Sequence, residues 1–302
     1  MKVLVTGGTG FIAAWIVRRL LRRSVAVRVL DIASDSAAVR DILGDLAREV
    51  DWRLADIRDT DAVHAAARGC GGIVHMAGIL TPACRSDPVK GAQINLIGTL
   101  NAFEAARREG MPRVVYASSA GVFGPRDGHI PCPTTHYGAF KLACEGSARA
   151  YWEDHRIASI GFRPFIVYGP GRGEEGASAG PTLACRAAAQ GAPYVIPYVG
   201  STGMIYVDDV AVAFEQALFA PLPGAHAFNL AGRPATVDAV IAAIRRQVPD
   251  ARITATGAPM PIAGELAPDH LSSVLPDLPE TSLDTGIAAT IAYYRGRAAA
   301  RA

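Results

Sequence analysis

A short apolar strand that leads directly into a glycine-rich turn constrains the fold of this chain more than any other feature. Residues 3–5 are apolar and rich in valine, which is typical of a buried parallel strand. The turn contains Gly7, Gly8 and Gly10, and residues 11–22 follow with the apolar spacing of a helix. Glycines let such a turn close tightly and let backbone N–H groups approach a pyrophosphate at the helix N-terminus. The pattern therefore predicts a dinucleotide-binding turn.

A second strand, predicted over residues 25–30, ends at Asp31, about 20 residues after the turn. An acidic side chain at this place accepts hydrogen bonds from the ribose hydroxyls and repels a 2′-phosphate. Asp31 therefore favours NAD over NADP as the cofactor, while Arg28 leaves NADP open. A glycine turn alone can be purely structural, but strand, turn, helix, strand and acid in this order predict dinucleotide binding.

Predicted strands and helices alternate along the chain. The helices are near residues 11–22, 36–48, 60–67, 90–108 and 136–154, and the strands are near 2–6, 25–30, 51–55, 72–76, 113–118 and 158–163. This alternation predicts an α/β fold with a doubly wound parallel (Rossmann) sheet. Ligands of such sheets bind outside the carboxyl ends of the strands.

After residue 170 the regular alternation breaks. Residues 169–181 form a long glycine-rich segment, a candidate flap over the substrate. We predict an NAD-binding domain over residues 1–170, to which the chain returns at about 204–230. Residues 171–302 are predicted to supply a smaller C-terminal substrate-binding cap.

Tyr137 and Lys141 are four residues apart in a predicted helix, so their side chains share one face. A tyrosine and a lysine at this spacing occur often by chance, so the pair indicates a catalytic site only because the predicted dinucleotide-binding turn is also present. A fixed positive charge beside a phenol favours the phenolate, which can accept a proton from an alcohol. None of the seven histidines has metal-ligand spacing with another, so no metal site is predicted, and His75 is expected to be a structural residue at a strand end.

Composition excludes several classes of protein. Half of the 302 residues are hydrophobic, and 30 basic against 28 acidic residues give a net charge of +2, so neither a nucleic-acid nor a membrane partner is predicted. No stretch is apolar for long enough to span a bilayer, and the N-terminus enters a strand at once, which predicts no signal peptide. The five scattered cysteines are expected to be reduced thiols, so we predict a cytoplasmic protein that acts on a small molecule.

Six segments, at residues 6–13, 56–59, 75–78, 95–99, 117–124 and 163–170, together resemble those of the extended short-chain dehydrogenase/reductases of the NAD-dependent epimerase/dehydratase family. The resemblance covers residues 1–230, and the remainder matches only loosely. It implies NAD as the cofactor. The residues that it places at the cofactor are Gly7, Gly10, Phe11, Ile12, Asp31, Asp56, Ile57, Met76, Ala77, Gly78, Asn95, Tyr137, Lys141 and Pro164.

The resemblance also implies the catalytic groups. Tyr137 would take the proton of a secondary alcohol while hydride leaves the same carbon for NAD. Lys141 would hold the nicotinamide ribose, and Ser119 would bind the substrate oxygen and stabilise its developing charge. Two plainer interpretations stay open, in which Ser119 only caps a turn and Lys141 is a solvated helix residue.

Nucleotide-sugar enzymes of the family commonly carry an arginine before an Ile-His-Val-x-Asp stretch, and here Thr202 stands at that position. No arginine lies between Arg252 and Arg295, where a second phosphate contact is expected. Because a diphosphate needs such charge-assisted donors, we predict a small non-nucleotide substrate: a sugar acid, hydroxy acid, polyol or aldose. Arg172 is the candidate partner of a substrate carboxylate, and Thr81 of a hydroxyl.

Oxidation of a secondary alcohol is the interpretation that we favour. In the alternative, an epimerase, hydride returns to the opposite face of a keto intermediate, and the same three residues serve. A non-catalytic NAD-sensing protein is disfavoured because Ser119, Tyr137 and Lys141 are all present. The resemblance further suggests a homodimer through the helices at 90–108 and 136–154.

Overall fold

Twelve strands and eleven α-helices make up the part of the chain that this computed structural model describes, residues 1–126, 128–264, 266–267 and 269–299. None of these helices is long and apolar enough to cross a membrane. The strands are β1 Lys2–Thr6, β2 Ala26–Asp31, β3 Asp51–Leu54, β4 Ile73–His75, β5 Arg113–Ala117, β6 Ala158–Pro164, β7 Ile166–Tyr168, β8 Tyr194–Ile196, β9 Ser201–Tyr206, β10 Ala225–Leu230, β11 Arg233–Thr236 and β12 Ile253–Ala255. The helices are α1 Phe11–Arg22, α2 Thr60–Ala67, α3 Thr81–Ser86, α4 Pro88–Ala92, α5 Gly98–Arg108, α6 His136–His155, α7 Gly180–Ala189, α8 Val207–Phe219, α9 Val237–Gln247, α10 Leu271–Val274 and α11 Leu283–Ala299.

The central sheet has seven strands, all parallel, in the order β10-β6-β5-β4-β1-β2-β3. The chain moves outward from β1 to β3 on one side and from β4 to β10 on the other, so the direction of the crossovers changes between β1 and β4. Such a switch point leaves a crevice for ligands at the carboxyl ends of the strands. The predicted doubly wound parallel sheet is confirmed.

Both faces of the central sheet are buried, which explains why its strands are continuous apolar runs. Val3 and Val5 of β1 join the core that α1 and α8 cover, whereas Leu4 between them joins the core on the opposite face, with α2 and α5. The alternation of side chains along a strand produces this division. All three side chains are fully buried, and each such burial stabilises the fold by about 1.5–3 kcal/mol.

The helix predicted over residues 36–48 is irregular. A π-turn spans Val39–Leu43 and a 3-10 helix spans Gly44–Glu49, and Gly44, where the second begins, has a φ angle of 53°. Glycine adopts positive φ without strain, so this residue interrupts the α-helical path. A second π-turn, Gln93–Ile97, joins α4 to α5 within the helix predicted over 90–108. Turns of this kind occur often at functional sites.

Beyond β6 the chain builds a smaller unit. In it β9 pairs with β7 and with β11, while β8 pairs with β12. Helices α7, α9 and α11 bury a separate apolar core against these strands, which includes Ile196, Ile244 and Ile291. The chain returns to the central sheet with α8 and β10, inside the predicted range 204–230, whereas β7 lies outside that sheet.

Gly161 of β6 lies against the ring of Tyr116 in β5. An added Cβ atom at Gly161 would be 2.4 Å from the Tyr116 Cζ atom, and the ring is itself only 1% exposed. We expect Gly161→Ala to lower the free energy of unfolding by about 3 kcal/mol, at the upper end of the usual range for overpacked cores. Urea denaturation would measure the loss.

Gly146 in α6 provides the matched control, because an added Cβ atom there would approach only the Arg149 Nη2 atom, at 3.9 Å. Gly146→Ala is expected to raise the free energy of unfolding by up to about 1 kcal/mol, since alanine favours a helix over glycine. Equal losses in the two variants would contradict the packing argument.

Candidate active site

A cavity of about 710 Å³ lies at the carboxyl ends of β1, β4, β5 and β6. Residues 175–178 and 260–262, from the smaller unit, form part of its wall. All three predicted substrate residues, Thr81, Ser119 and Arg172, line it. So do the following predicted cofactor residues: Gly7, Gly10, Phe11, Ile12, Met76, Gly78, Asn95, Tyr137, Lys141 and Pro164.

The glycine turn has the geometry that a pyrophosphate requires. Gly7 has a φ angle of 69°, and an added Cβ atom there would be 2.6 Å from the Ala77 N atom, so only glycine fits. Gly10 precedes α1, and neither a side-chain cap nor an acidic residue satisfies the first N–H groups of this helix. Free N–H groups and the positive end of a helix dipole suit an anion. The residues present therefore fit the cofactor phosphates.

Asp31 lies beside this turn, just outside the cavity wall. Its Oδ2 atom accepts hydrogen bonds from the Thr9 N atom at 2.9 Å and from the Thr9 Oγ1 atom at 2.7 Å. Arg28, which left NADP open, is directed elsewhere: its Nε atom donates to Asp51 at 2.8 Å, and its Nη1 atom donates to the Ala66 carbonyl at 2.9 Å. Arg28 is therefore not available to a 2′-phosphate at Asp31.

The remaining predicted cofactor residues, Asp56, Ile57 and Ala77, also lie outside the cavity wall. The Asp56 carboxylate is bound by the Arg58 guanidinium at 2.6 Å, and this hydrogen bond lowers the pKa of Asp56. The Ile57 side chain is buried against Gly98. Ala77 contacts the turn through its backbone, beneath Gly7.

Asn95 and His75 form the floor between the cofactor turn and α6. The buried Asn95 amide donates to the Ile79 carbonyl and accepts from the Ile79 N atom, both at 3.1 Å, and so fixes the chain after β4. His75 contacts Thr6 and Thr99 through its two ring nitrogens. Burial, together with the positive charge of Lys141, lowers the pKa of His75 to about 3. A neutral, hydrogen-bonded ring agrees with the predicted structural role.

Tyr137 and Lys141 occupy the first two turns of α6. The helix begins after Thr135, whose hydroxyl accepts from the Gly138 N atom at 3.0 Å, a regular N-cap. Lys141 is 4% exposed, so it is not a solvated helix residue, and its Nζ atom donates to the Ala117 carbonyl at 2.7 Å. The same Nζ atom is 5.7 Å from the centre of the Tyr137 ring.

Ser119 lies opposite, where β5 has ended. Its Oγ atom accepts from the Gly121 N atom at 3.1 Å and thus caps the short turn Ala120–Val122. The hydroxyl hydrogen of Ser119 is still available to the cavity, so capping and substrate binding are compatible. An added Cβ atom on Gly138 would be 2.3 Å from the Gly121 O atom, which shows how tightly α6 approaches this turn.

On the substrate side, Arg172 is half-buried, and burial lowers the pKa of its guanidinium. Its Nη2 atom donates to the Ser178 Oγ atom at 3.0 Å and to the Glu175 carbonyl at 3.2 Å. The sequence interpretation missed Arg85, which lines the same cavity from α3. Its position four residues after Thr81, on the same helical face, is the signal that points to it.

Thr202, the residue that stands where an arginine is common, is buried in β9 and does not line the cavity. Its hydroxyl contacts the Met204 Sδ atom at 3.8 Å. The smaller unit instead presents apolar side chains to the cavity around residues 260–262. Within the described residues, the cations in the cavity wall are thus Lys141, Arg85 and Arg172.

A family model, described as the NAD dependent epimerase/dehydratase family, matches residues 3–231. The chain belongs to this family. It is therefore an enzyme with a Rossmann-like fold that uses NAD, as its sequence predicts.

Two curated relatives differ in their reactions. A UDP-glucose 4-epimerase of Mycolicibacterium smegmatis is 30% identical, over 98% of this chain and 99% of that protein. A uronate dehydrogenase of Pseudomonas syringae pv. tomato is 31% identical over 169 residues, which cover 54% of this chain and 58% of that protein. Among solved structures, a Thermus thermophilus UDP-glucose 4-epimerase in complex with NAD is 28% identical, with a TM-score of 0.85 over 98% of this chain and 99% of that one.

The position of Asp31 predicts the cofactor preference of the enzyme. We expect Asp31→Ala to weaken NAD binding about tenfold or more, because hydrogen bonds to a charged group contribute about 1.5–3 kcal/mol. NADP binding should change little or improve, since a negative charge is removed from the vicinity of its 2′-phosphate. Titration calorimetry with each cofactor would measure both effects.

Arg28→Met is the control for this experiment, because the Arg28 guanidinium binds Asp51 on the neighbouring strand rather than the turn. This variant should leave the ratio of the two dissociation constants unchanged. An equal loss of NAD and NADP binding in Asp31→Ala would refute the ribose argument.

Proposed function

We propose that the protein is an NAD-dependent dehydrogenase that oxidises a secondary alcohol of a small, non-nucleotide substrate, preferentially a sugar acid or hydroxy acid. The observation that carries this proposal is the meeting of Ser119, Tyr137 and Lys141 with Arg172 in one cavity. The first three residues suit the oxidation of an alcohol. Arg172 offers a positive charge to the substrate at another part of the cavity wall. Polyols and aldoses are the neutral substrates that the same chemistry would accept.

In the proposed reaction, the Tyr137 phenolate takes the proton of the substrate hydroxyl and the Ser119 hydroxyl donates a hydrogen bond to the same oxygen. Bound NAD supplies the acceptor for the hydride, which leaves the carbon that bears this hydroxyl group. Lys141 keeps a positive charge near the phenolate. One of its three N–H groups donates to the Ala117 carbonyl, so two remain for the cofactor ribose and the phenolate.

The charges of the cavity favour an acidic substrate. Arg172 donates to a hydroxyl and a backbone carbonyl, which are neutral acceptors, and within the described cavity wall the three cations outnumber the single acidic residue, Glu175. Arg85, in α3, adds another positive charge to the cavity wall. A carboxylate matches the planar fork of a guanidinium better than a neutral hydroxyl does. The similarity to a uronate dehydrogenase over half of the chain supports the same class of substrate.

An epimerase is the second candidate. The similarity to the Mycolicibacterium smegmatis UDP-glucose 4-epimerase extends over nearly the full length of both chains and favours this candidate. Arg85 and Arg172 would then face a diphosphate in place of a carboxylate. The buried, uncharged Thr202 and the apolar wall at residues 260–262 weigh against a diphosphate, since neither offers a charged donor.

A homodimer forms part of the proposal. Val89 of α4 is 69% exposed and Ile97, in the π-turn before α5, is 43% exposed. The exposed Ala139, Ala143 and Ala150 of α6 add small apolar side chains to the outside of the same lobe. Exposed apolar side chains on neighbouring helices are typical of a helix-to-helix dimer interface.

Nicotinamide absorbance tests the proposed reaction. With purified protein, NAD and a panel of sugar acids, hydroxy acids, aldoses and UDP-sugars, we expect NADH to accumulate with a small acid. Tyr137→Phe should lower kcat at least about 100-fold, because it removes the proton acceptor, and should leave the dissociation constant of NAD within twofold (roughly 0.4 kcal/mol). Conversion of a UDP-sugar to its epimer without NADH accumulation would establish the second candidate instead.

Arg172→Met tests the substrate class. Loss of a charge-assisted pair of about 1.5–3 kcal/mol should raise KM for the acid about 10- to 100-fold and leave KM for NAD unchanged. Arg186→Met is the control, because Arg186 lies in the adjoining α7 and pairs with Glu174 at 2.6 Å outside the cavity. A KM for the acid that is equal in Arg172→Met and the wild type would rule out Arg172 as the carboxylate partner.

A further inference from the structure

A buried ion pair joins α6 to the ends of two central strands. Glu145 lies four residues after Lys141, so Tyr137, Lys141 and Glu145 follow one face of the helix. The Glu145 carboxylate accepts from the Arg163 Nε atom at 2.7 Å and from the Arg163 Nη2 atom at 2.6 Å. It also accepts from the Ser118 Oγ atom at 2.6 Å. The Glu145 side chain is 1% exposed.

Of the two partners of Glu145, Ser118 lines the cavity itself, and Arg163 adjoins a residue that lines it. Ser118 immediately precedes Ser119 and immediately follows Ala117, whose carbonyl accepts the hydrogen bond of Lys141. Arg163 immediately precedes Pro164 in β6. A single carboxylate therefore connects the helix of Tyr137 and Lys141 to the strand end of Ser119 and to the wall beside the cofactor.

Stability alone is a weak reason for such a pair. Desolvation of a buried carboxylate and a buried guanidinium is costly, and apolar residues of similar volume often stabilise a fold equally well or better. What an ion pair with three short hydrogen bonds provides is a defined separation and angle between the elements that it joins. Apolar contacts would let α6 shift along the strand ends, whereas these hydrogen bonds hold it at one position.

We infer that Glu145 is a positioning residue, which acts through Arg163 and Ser118 to hold Tyr137 and Lys141 in register with Ser119. This inference rests on the proposed roles of those three residues. The Tyr137 and Ser119 hydroxyl groups must meet at one substrate oxygen beside Lys141, and a displacement of about 1 Å at a reacting centre can cost about 100-fold in rate. The Glu145 side chain does not itself line the cavity.

The test removes both charges together. Glu145→Met or Arg163→Met alone leaves one buried charge without its partner and is expected to impair folding. The double variant Glu145→Met/Arg163→Met replaces the pair with flexible apolar chains, so we expect a urea midpoint close to that of the wild type. Its kcat should fall about 10- to 100-fold, and the dissociation constant of NAD should stay within about threefold. A kcat equal to that of the wild type in the folded double variant would overturn the inference.

Ser118→Ala offers a milder change, because it removes one hydrogen bond and keeps the ion pair. We expect kcat to decrease less than in the double variant and KM to stay unchanged.

Glu215→Gln is the matched control. Glu215 is a buried carboxylate that accepts a hydrogen bond from the Arg19 Nε atom at 2.6 Å, and Arg19 keeps Asp208 as a second partner. This variant alters a comparable ion pair outside the cavity and should leave kcat unchanged.

A substrate-free measurement separates this inference from the proposed function. In protein labelled with 3-fluorotyrosine, the fluorine resonance of Tyr137 is assigned by its loss in Tyr137→Phe. The resonance should shift or broaden in the double variant and remain unchanged in Glu215→Gln. If it is unchanged in both, the positioning role is wrong whatever reaction the enzyme catalyses. If it moves while no substrate of the panel is oxidised, only the proposed reaction fails.

Discussion

Two contacts between backbone segments determine the dimensions of the site. The glycine turn lies against the chain after β4, where a Cβ atom on Gly7 would be 2.6 Å from the Ala77 N atom. The start of α6 lies against the turn after β5 in the same manner, since a Cβ atom on Gly138 would be 2.3 Å from the Gly121 O atom. The first contact fixes the glycine turn, and the second fixes the start of α6, which carries Tyr137, against the turn that follows Ser119. The distance between these two parts of the cavity is therefore a property of a closely packed backbone, which deforms little.

The parts of this arrangement that are predictable from sequence are those that local pattern determines. The central strands coincide with apolar runs, because both faces of a parallel sheet are buried, and the capped start of α6 follows from Thr135 before a helical segment. The direction of Arg28 is not predictable in this way, since its partner Asp51 belongs to another strand. The same holds for Glu145, because the four-residue spacing from Lys141 is visible whereas its partners come from β6 and from the turn after β5.

The cavity joins two kinds of surface. The central sheet and its helices contribute Tyr137, Ser119 and the cationic Lys141, whereas the smaller unit contributes apolar side chains at residues 260–262. Arg172 lies between these surfaces, with its guanidinium 5.7 Å from the ring centre of Phe11 at the start of α1. A ligand that enters between them meets the cations of the wall and, at residues 260–262, apolar side chains. Such a cavity binds one end of a substrate through directed bonds and the other through the exclusion of water.

His75 has a consequence for the response of the fold to acid. In the folded chain, burial keeps its imidazole neutral down to a pKa of about 3, whereas its ordinary value is 6.5. Between these values the unfolded chain binds a proton that the folded chain does not, so unfolding takes up a proton and the free energy of unfolding falls as the pH falls through this range. The ring that joins Thr6 to Thr99 beneath the cofactor turn thus contributes a decrease in the stability of the whole fold on acidification below pH 6.5. Above the ordinary value both states are neutral, and this contribution to the pH dependence disappears.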